Sequence, residues 1–410
     1  MTTAANTVLF HSIISINSVM TNDNQHIPSG YKPSPLGVIP EKWEVKRIGD
    51  FGKVITGNTP PTEDADNYGD VYKFVSPADI SDKKYIEATE KHLSKKGFSI
   101  SRQMPKGTVL FTCIGSTIGK CAIANEALTS NQQINAIICD SKHSGEFLYY
   151  ELSHRSNRIK QIAGEQAVPI INKSTFENYK VLCPPFEEQN GIAQTLSLWD
   201  TAIAKQTALI EKLTLRKRGL MQQLLTGKKR LKGFEGNSFK MISFDKIANT
   251  VNVKAFQVSK SDYQEKGETP IVDQGQMFIA AYSDSDKIFT NIPFILFGDH
   301  TRIIKWIDFP CIIGADGVQA IKSKGGMDIK YLYYLLSSTE LPNLGYSRHM
   351  SILKEKVFYV STNHDEQKAI AECLSSADKE IDFAKEKLSH LQNQKRGLMQ
   401  VLLTGKRRVK

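Results

Sequence analysis

Residues 115–120 of this chain, Gly-Ser-Thr-Ile-Gly-Lys, place glycine and lysine in an order similar to a phosphate-binding loop. In such a loop the backbone amides hold the phosphates, the lysine pairs with their charge, and a Ser or Thr hydroxyl holds Mg²⁺. Here the glycine spacing is one residue short, and Cys121 stands where the hydroxyl is needed. The segment therefore does not predict a nucleotide-hydrolysing site.

Residues 183–186, Cys-Pro-Pro-Phe, resemble the Asn-Pro-Pro-Phe segment of amino-methyltransferases. The leading asparagine that would hold the exocyclic amine is absent, and no glycine-rich cofactor-binding turn precedes the segment. Asp316, in a Gly-Ala-Asp-Gly sequence, could ligate a metal ion, but a tight turn explains it better. We therefore predict no catalytic and no metal-binding residues.

The six cysteines are scattered, and no two form a C-x-x-C pair. This spacing argues against a zinc ribbon or a disulfide scaffold and favours a reducing cytoplasm.

Polar side chains suited to DNA contact are more frequent than catalytic ones. Asn and Gln can pair with adenine, Arg with guanine, and Ser or Thr with phosphates or base edges. Taken singly, each of these residues is better explained as an ordinary turn residue than as a base contact, so the pattern predicts a class of contact and not individual contacts. The predicted DNA contacts are Thr56, Asn58, Thr59, Ser116, Thr117, Lys120, Asn131, Gln132, Asn172, Lys173, His300, Thr301, Arg302, Gln319, Ser347, Arg348 and His349.

Two distant segments of the chain are nearly identical. Residues 217–222 return as residues 395–400, and both copies continue into Leu-Leu-Thr-Gly-Lys. The match extends back to Gln189 and Gln367, a constant offset of 178 residues. A spaced duplication of this length predicts two similar halves, each a globular block followed by the same kind of segment.

Both copies carry apolar residues at alternating spacings of three and four. A seam sustained for about four to five heptads indicates a coiled coil, with helices roughly 50 Å long. Proline precedes the first helix, and Gly227 and Gly405 stand where a C-terminal cap glycine belongs. Parallel and antiparallel pairing both fit the period, and each helix could instead pack on its own block. The predicted seam residues are Ile192, Leu196, Ile203, Leu213, Leu220, Ile370, Leu374, Ile381, Leu391 and Leu398.

Basic residues cluster around the ends of both helices, at 216–218, 228–232, 395–396 and 406–410. Positive charge at a helix C-terminus is stabilised by the helix dipole without any ligand. The same clusters could grip DNA phosphates or an acidic partner subunit. The sequence leaves both interpretations open.

The blocks before the two helices have mixed composition and the same order of features. Short β-rich runs at 109–112 and 294–297 are followed by predicted helices at 147–160 and 329–338. We predict an α+β fold with two similar, β-rich, barrel-like domains joined by two long helices. The predicted boundaries are 1–30 for an unassigned extension, 31–186 for the first domain, 187–232 for the first helix, 233–362 for the second domain and 363–410 for the second helix.

Bulk composition is that of a soluble globular protein. The 410 residues are 40% hydrophobic and 23% charged, and the net charge of +10 with a pI near 9.1 suits an anionic partner such as nucleic acid. The apolar-leaning segment at 8–20 lacks a basic flank and is too short to span a bilayer, and Met20 could equally be the true start. We expect a cytoplasmic protein.

Several motifs occur together in a fixed order along the chain. Glu-Gln pairs at 188–189 and 366–367 open the two repeats. The other motifs are Pro-Leu-Gly-Val-Ile-Pro-Glu-Lys-Trp at 35–43, Ile-Gly-Asp at 48–50, Gly-Asn-Thr-Pro at 57–60, Gly-Lys at 119–120, Phe-Gly-Asp-His-Thr-Arg at 297–302 and Ala-Asp-Gly-Val-Gln at 315–319. With these motifs in this order, the chain from about residue 31 onwards resembles the specificity (S) subunit of type I restriction–modification systems.

The resemblance implies two target recognition domains, each binding one half of a split site in double-stranded DNA. It implies an antiparallel helix pair whose length sets the gap between the half-sites, and no catalytic residues or cofactor in this chain. Two modification (M) subunits would supply S-adenosylmethionine and methylate a flipped adenine. Two restriction (R) subunits would add ATP- and Mg²⁺-dependent translocation and cleavage. The target sequence and the gap length are not readable from the sequence.

Three alternatives remain open. The chain could be the recognition subunit of a two-part system whose partner fuses methylation and cleavage, as in type IIB-like enzymes. It could be a stand-alone DNA-modifying enzyme that uses one of the look-alike motifs. It could also be a coiled-coil scaffold that binds only protein.

Overall fold

The computed structural model describes residues 27–164, 168–315, 317–343, 345 and 347–409, which form two compact units. The first unit contains the described residues up to Ala202 together with those from Leu391 onwards. The second unit is the continuous segment Ile203–His390. Within the described ranges, no helix is both long and apolar enough to cross a membrane.

The first unit is built on two four-stranded sheets. One has the order β4-β11-β8-β9 and is antiparallel throughout, and the other has the order β10-β6-β7-β5 with β10 parallel to β6. The strands are β1 (Tyr31–Ser34), β2 (Gly37–Pro40), β3 (Glu44–Arg47), β4 (Gly52–Thr56), β5 (Tyr68–Gly69), β6 (Tyr72–Val75), β7 (Lys91–Leu93), β8 (Val109–Thr112), β9 (Cys121–Ile123), β10 (Thr129–Ser130), β11 (Ile134–Cys139) and β12 (Lys180–Cys183), and the helices are α1 (Lys95–Ile100), α2 (Gly145–Gln161), α3 (Lys173–Glu177) and the first half of α4 (Phe186–Leu225).

The core of the first unit lies between the antiparallel sheet and helix α2. Strand β8 is buried along its whole length, which fits a run of apolar residues packed on both faces. Ser144 caps α2 by accepting a hydrogen bond from the amide of Phe147, and Phe147 is itself fully buried. The helix thus begins at a polar cap and immediately inserts its apolar side into the core.

The second unit repeats this architecture with one difference. Its antiparallel sheet has the same strand order as that of the first unit, whereas the fourth strand of its other sheet lies at the opposite edge. Its sheets run β14-β21-β18-β19 and β15-β20-β16-β17, and β16 is parallel to β20 and antiparallel to β17. The strands are β13 (Phe239–Ser243), β14 (Ala248–Val251), β15 (Gln257–Val258), β16 (Thr269–Val272), β17 (Ala281–Ser283), β18 (Phe294–Gly298), β19 (Ile304–Ile307), β20 (Ile312–Gly314), β21 (Val318–Ser323) and β22 (Val357–Ser361), and the helices are α5 (Phe244–Ile247), α6 (Ile329–Ser337), α7 (Met350–Glu355) and α8 (His364–Leu402).

Two long helices, α4 and α8, carry the duplicated sequence, with 40 and 39 residues respectively. At 1.5 Å per residue each is about 60 Å long, somewhat longer than the heptad count predicts. Each helix begins in one unit and ends in the other, α4 changing from the first to the second unit after Ala202 and α8 from the second to the first after His390. The predicted α+β class with paired long helices is confirmed.

The helices run antiparallel. In the second unit, Gln206 contacts Ala384 and Lys217 pairs with Asp378, so the numbering rises along one helix as it falls along the other. In the first unit the salt bridge between Asp200 and Lys395 follows the same rule. This resolves the choice between parallel and antiparallel pairing that the heptad period leaves open.

The seam residues divide into two kinds according to their surroundings. Near the middle, Leu213 and Ile381 pack together with Ala384 as helix-to-helix contacts. Near the helix N-termini, the buried residues join the cores of the units instead. Ile192 and Leu196 lie in the first core, Ile370 and Leu374 lie in the second, and Ile203, Leu220, Leu391 and Leu398 are partly buried.

The Leu-Leu-Thr-Gly-Lys segments anchor the C-terminal ends of the helices. Leu224 and Leu225 are buried in the core of the second unit, and Leu402 and Leu403 in the core of the first. The glycines that follow have positive φ, +68° at Gly227 and +70° at Gly405, as an αL cap requires. The segment is thus both a helix end and a core anchor.

Candidate nucleic-acid interface

The predicted contacts Thr56, Asn58 and Thr59 lie where strand β4 ends, and the turn before β11 meets them there. Thr59 Oγ1 donates to Gln132 Oε1 at 2.8 Å, and Thr56 Oγ1 donates to Asn135 Oδ1 at 2.6 Å. The fold therefore brings Thr59 and Gln132, which are 73 residues apart, to one exposed edge of the first unit.

Arg102 belongs to the same edge, although the sequence analysis did not single it out. Its backbone amide donates to Asn58 Oδ1 at 2.7 Å, and its guanidinium donates to the carbonyl oxygen of Thr56 at 2.7 Å. The residue is exposed, and it follows helix α1 in a polar Ser-Arg-Gln segment. This polar segment is the feature of the sequence from which Arg102 could have been predicted. An exposed arginine beside exposed amides is an arrangement suited to phosphate or guanine contact.

Gly57 explains why this edge is compact. A Cβ atom at this position would lie 2.3 Å from the carbonyl oxygens of both Ser130 and Asn131. The strand exit and the neighbouring turn can approach this closely only because the residue has no side chain.

The second group of predicted contacts in the first unit lies on the loop between β8 and β9. This loop joins two antiparallel strands, whereas a phosphate-binding loop leads from a strand into a helix, so the look-alike at 115–120 is excluded by its context. Ser116 is exposed, and Lys120 Nζ donates to the carbonyl oxygen of Pro77 at 3.2 Å. The amide of Gly115 donates to the carbonyl oxygen of Pro169 at 2.9 Å, which joins this loop to the segment before α3.

The remaining predicted contact residues of the first unit make local hydrogen bonds or ion pairs within the chain. Asn172 caps helix α3 by accepting from the amide of Thr175 at 2.8 Å, and Lys173 forms an i,i+4 pair with Glu177 at 3.3 Å. Asn131 donates to Gln133 Oε1 at 2.9 Å. Asn172 and Lys173 remain exposed, so these contacts leave their role toward DNA a prediction.

In the second unit, His300 and Thr301 lie against Gln274. The amide of His300 donates to Gln274 Oε1 at 3.2 Å, and Thr301 Oγ1 donates to the carbonyl oxygen of Gln274 at 2.7 Å. Gly317 comes so close that a Cβ there would lie 2.7 Å from the His300 ring. Three loops, after β16, β18 and β20, thus meet at one edge of this unit.

Arg302 and His349 hold the same loops in place. Arg302 has a φ of +62° and donates from its guanidinium to the carbonyl oxygen of Leu341 at 3.1 Å. His349 is fully buried, and its Nδ1 lies 2.9 Å from the carbonyl oxygen of Asp299. Of the other predicted contacts, Ser347 and Arg348 are exposed and Gln319 is half-buried in β21. Asp316, considered above as a metal ligand or turn residue, lies outside the described residues.

Much of the positive charge around the helix ends is paired within the chain. Arg230 binds Glu366 through two hydrogen bonds of 2.7 and 2.8 Å, and Arg408 binds Glu188 in the same way with one bond of 2.6 Å. Arg216 pairs with Glu380. The structure therefore adds intramolecular pairing to the two interpretations of these clusters, while Arg218, Lys228, Lys229, Arg396, Lys406 and Arg407 remain exposed.

Comparison with known proteins agrees with this architecture. Residues 40–215 match the family described as type I restriction modification DNA specificity domain. The chain is 28% identical to the type I restriction enzyme MjaVIII specificity subunit of Methanocaldococcus jannaschii, over 91% of this chain and 94% of that protein. It is 29% identical to the putative MjaX specificity subunit of the same organism, over 93% of this chain and 97% of that protein.

The fold has a solved counterpart. The crystal structure of the type I restriction–modification S subunit from M. genitalium superposes with a TM-score of 0.58, covering 88% of this chain and 96% of that chain at 17% identity. These matches support a specificity subunit of type I restriction–modification systems.

A polar cluster in this specificity subunit recurs at equivalent positions in both units. Asp200 accepts a hydrogen bond from the Tyr150 hydroxyl and pairs with Lys395 at 2.5 Å. In the second unit the Tyr334 hydroxyl donates to the carboxylate of Asp378, the residue 178 positions after Asp200, at 2.7 Å, and Lys217 pairs with the same carboxylate. Burial and the nearby aspartate raise the pKa of both tyrosines. The cluster ties each recognition block to both long helices.

The glutamines that open the two repeats make equivalent hydrogen bonds in the two units of the specificity subunit. Gln189 Oε1 accepts from the amide of Ser144 at 2.8 Å, and Gln367 Oε1 accepts from the amide of Asp328 at 2.8 Å. Ser144 and Asp328 are the N-cap residues of α2 and α6. Each repeat helix is therefore fixed to the helix of its block by its own Glu-Gln segment.

The cysteines of this specificity subunit are free thiols. Burial is the main cause that raises the pKa of Cys113, Cys139 and Cys311 to about 12 and that of Cys183 to about 11. Within the part of the chain that the structure describes, no group of three or more His, Cys, Asp or Glu side chains is placed to hold a metal ion.

Proposed function

We propose that this specificity subunit reads a split site in double-stranded DNA, one half with each unit. The observation that carries the proposal is the duplication of the fold. Each unit contains an antiparallel four-stranded sheet of the same strand order, a second sheet that shares three strands in the same order, and polar loop residues gathered at sheet edges. Two similar binding surfaces in one chain are suited to two half-sites. Contacts to the DNA phosphates would supply much of the salt-dependent affinity, and the loops would read base edges.

The two long helices are proposed to set the gap and to dock partner subunits. Their paired seam makes them a stiff element, and several large apolar side chains on them are exposed, namely Leu198, Leu209, Leu215 and Phe383. Exposed apolar side chains of this size fit a protein partner. We assign this surface to two M subunits, with two R subunits completing the assembly in the cytoplasm.

The chain itself is proposed to be non-catalytic and to bind no cofactor. S-adenosylmethionine would belong to the M subunits, and ATP and Mg²⁺ to the R subunits. The excluded phosphate-loop look-alike supports this division because its loop lies within a β-hairpin. Purified chain alone, incubated with DNA and labelled S-adenosylmethionine, should transfer no methyl group, and addition of the M subunit should restore transfer.

Methylation mapping with a block exchange tests the reading of a split site. The adenines methylated in the host genome should define a motif of two short parts separated by unread bases. Replacement of residues 31–186 by the corresponding block of another specificity subunit should change one part only. Because Leu402 and Leu403 belong to the first core, the exchange should also carry the matching residues 391–410. An unchanged motif after a folded exchange would refute the modular reading.

A second arrangement uses the same recognition function. In a type IIB-like system a single partner would carry both methylation and cleavage. The genes beside this one would distinguish the two, since a type I system requires separate M and R subunits.

A further inference from the structure

The loop between β16 and β17, residues 273–280, has an unusual combination of a fixed backbone and outward-facing side chains. Met277 and Phe278 are 71% and 51% exposed, and Gln276 beside them is exposed as well. Exposed apolar side chains on a loop cost free energy in water unless a partner covers them. The exposure of these side chains is therefore consistent with a binding role for the loop.

The backbone of this loop is held by a buried lysine. Lys305, on strand β19, is 5% exposed, and its Nζ donates to the carbonyl oxygens of Asp273 at 2.7 Å and Met277 at 2.5 Å. Desolvation by burial lowers the pKa of Lys305. A charge buried beneath a loop is costly unless its hydrogen bonds are satisfied, and here the loop carbonyls satisfy them.

Other groups complete the fixation. Asp273 Oδ1 accepts from the amide of Gly275 at 2.8 Å, which closes the turn. The carbonyl oxygen of Gln274 accepts from Thr301 Oγ1 at 2.7 Å. A Cβ on Gly298 would lie 2.8 Å from Gln274 Cβ, so the neighbouring strand end packs directly under the turn. The loop is preorganised, and little conformational entropy would be lost when it binds.

The first unit contains a similar device. Its loop between β6 and β7 is the topological counterpart, because β6 and β16 occupy the same place in the two sheets. There Lys120, one residue before β9, donates to the carbonyl oxygen of Pro77 in that loop. In each unit a lysine thus donates a hydrogen bond to a main-chain carbonyl oxygen of the corresponding loop.

We propose that the loop 273–280 is the base-reading element of the second unit and that Lys305 is its positioning residue. The proposal rests on the proposed DNA-recognition function and deepens it. The exposed side chains of the loop are an amide and two apolar groups and include no cation, so the loop is suited to base edges and not to phosphates. An amide matches adenine, and apolar side chains match the thymine methyl group or a widened base step. The half-site read by the second unit should therefore contain an A·T pair.

The position of the loop supports DNA over a protein partner. It shares its edge with the predicted contacts His300 and Thr301, which hydrogen-bond to Gln274. The exposed apolar side chains Met241 and Tyr359 lie instead on β13 and β22, which form a separate two-stranded sheet of the same unit. These two residues are similar in exposure, 65% and 47%, and serve as matched controls.

The test uses the full-length chain assembled with its M subunit and duplexes of the mapped target. Gln276→Ala and Phe278→Ala should each reduce discrimination between the cognate second half-site and a variant with one A·T pair exchanged, by about 10- to 100-fold. Discrimination at the first half-site should stay unchanged. Met241→Ala and Tyr359→Ala should leave both unchanged.

Lys305→Met tests the positioning role through the salt dependence of DNA binding. A positioning residue and a phosphate contact predict different effects on that dependence. Loss of a phosphate contact lowers the slope of log affinity against log salt by about one. For Lys305→Met we expect an unchanged slope, reduced discrimination at the second half-site, and partial recovery of discrimination in Lys305→Arg. A slope reduced by about one with intact discrimination would overturn the positioning role.

The outcomes separate this inference from the function on which it rests. If the wild-type assembly binds no split site, the proposed function fails. If it binds one and both loop variants discriminate normally, only the loop assignment is wrong. If Gln276→Ala and Phe278→Ala weaken assembly with the M subunit while discrimination remains, the loop is a protein-docking element and the inference is overturned.

Discussion

The side-chain amide of Gln206 donates a hydrogen bond of 2.9 Å to the main-chain carbonyl oxygen of Ala384, and the two residues occupy the same position in the two copies of the repeat. Equivalent residues that touch must lie beside the local twofold axis that relates the two helices. Only one long side chain fits at such a point, which explains why one copy carries Gln and the other Ala. The two copies of the repeat therefore differ at this point of contact between the helices.

Gln206 is buried, so its substitution should show how much this contact between the helices contributes to the free energy of unfolding. Gln206→Ala should lower the free energy of unfolding by about 1 kcal/mol, because it removes one buried hydrogen bond. Gln206→Leu should be close to neutral, since an apolar side chain suits a heptad seam. Urea unfolding followed by circular dichroism measures both. A larger loss in Gln206→Leu than in Gln206→Ala would contradict this account of the seam.

The two Arg–Glu pairs at the helix ends should differ in strength. The Glu366 carboxylate is fully buried, and besides Arg230 it accepts a hydrogen bond from the Ser361 hydroxyl. Removal of the guanidinium in Arg230→Met would leave a buried charge uncompensated, which costs about 3–5 kcal/mol. Arg408 and Glu188 are more exposed, so Arg408→Met should cost clearly less. Thermal unfolding of the two matched variants would test this order, and equal losses would contradict it.

The raised pKa values of the buried thiols predict a loss of stability at alkaline pH. The folded pKa of Cys113, Cys139 and Cys311 is about 12, above the ordinary value near 9. Below pH 9 the thiols are protonated in both states and the stability is fully present. As pH rises from about 9 to 12, thiols in the unfolded chain ionise first, so the free energy of unfolding falls. Unfolding in urea at pH 8, 9.5 and 10.5 should show this decline, and Cys311→Ser should reduce its steepness.

The same thiols should resist alkylation in the folded protein. At pH 8 a thiol of pKa about 12 is ionised in roughly one molecule in ten thousand, and the thiolate is the reactive form. Iodoacetamide at pH 8 should therefore modify Cys373, which is half-buried, before the four buried cysteines. Mass spectrometry of the digested protein reads the order, and rapid labelling of Cys311 would show that its burial is not maintained in solution.

Lengthening the helix pair should lengthen the gap between half-sites. One heptad adds about 10 Å to a helix, which corresponds to about three base pairs at 3.4 Å each. Because the helices are antiparallel, both must be extended together, after Ala202 and after His390, where one unit gives way to the other. Methylation mapping of the double insertion should show a longer gap. An unaltered gap in a folded protein would refute the spacer role, and a heptad in one helix alone should impair folding.

The long helices were the most predictable part of the fold. Their heptad period, the prolines before Phe186 and the glycines at 227 and 405 mark them, and α4 and α8 begin and end within a few residues of those signals. Helix hydrogen bonds are local, so the signals are local as well. The prediction that each helix is one continuous rod is confirmed.

The loop edges were less predictable because their contacts are distant in sequence. Gln274 was not selected, although it bonds the predicted His300 from 26 residues away, and Arg102 bonds Asn58 from 44 residues away. His349 looked like a surface contact but is buried against Asp299. Composition identifies polar loops, whereas only the folded chain shows which loops meet. Which of these residues contact DNA stays a prediction.

The burial of Leu402 and Leu403 in the first unit bears on the order in which the protein matures. The second unit is a continuous segment and can close as soon as His390 has left the ribosome. The first unit, although its block is synthesised earlier, lacks part of its core until residues 391–403 emerge. During translation the N-terminal block must therefore wait with an uncovered apolar surface until residues 391–403 emerge, whereas the second unit can already have closed.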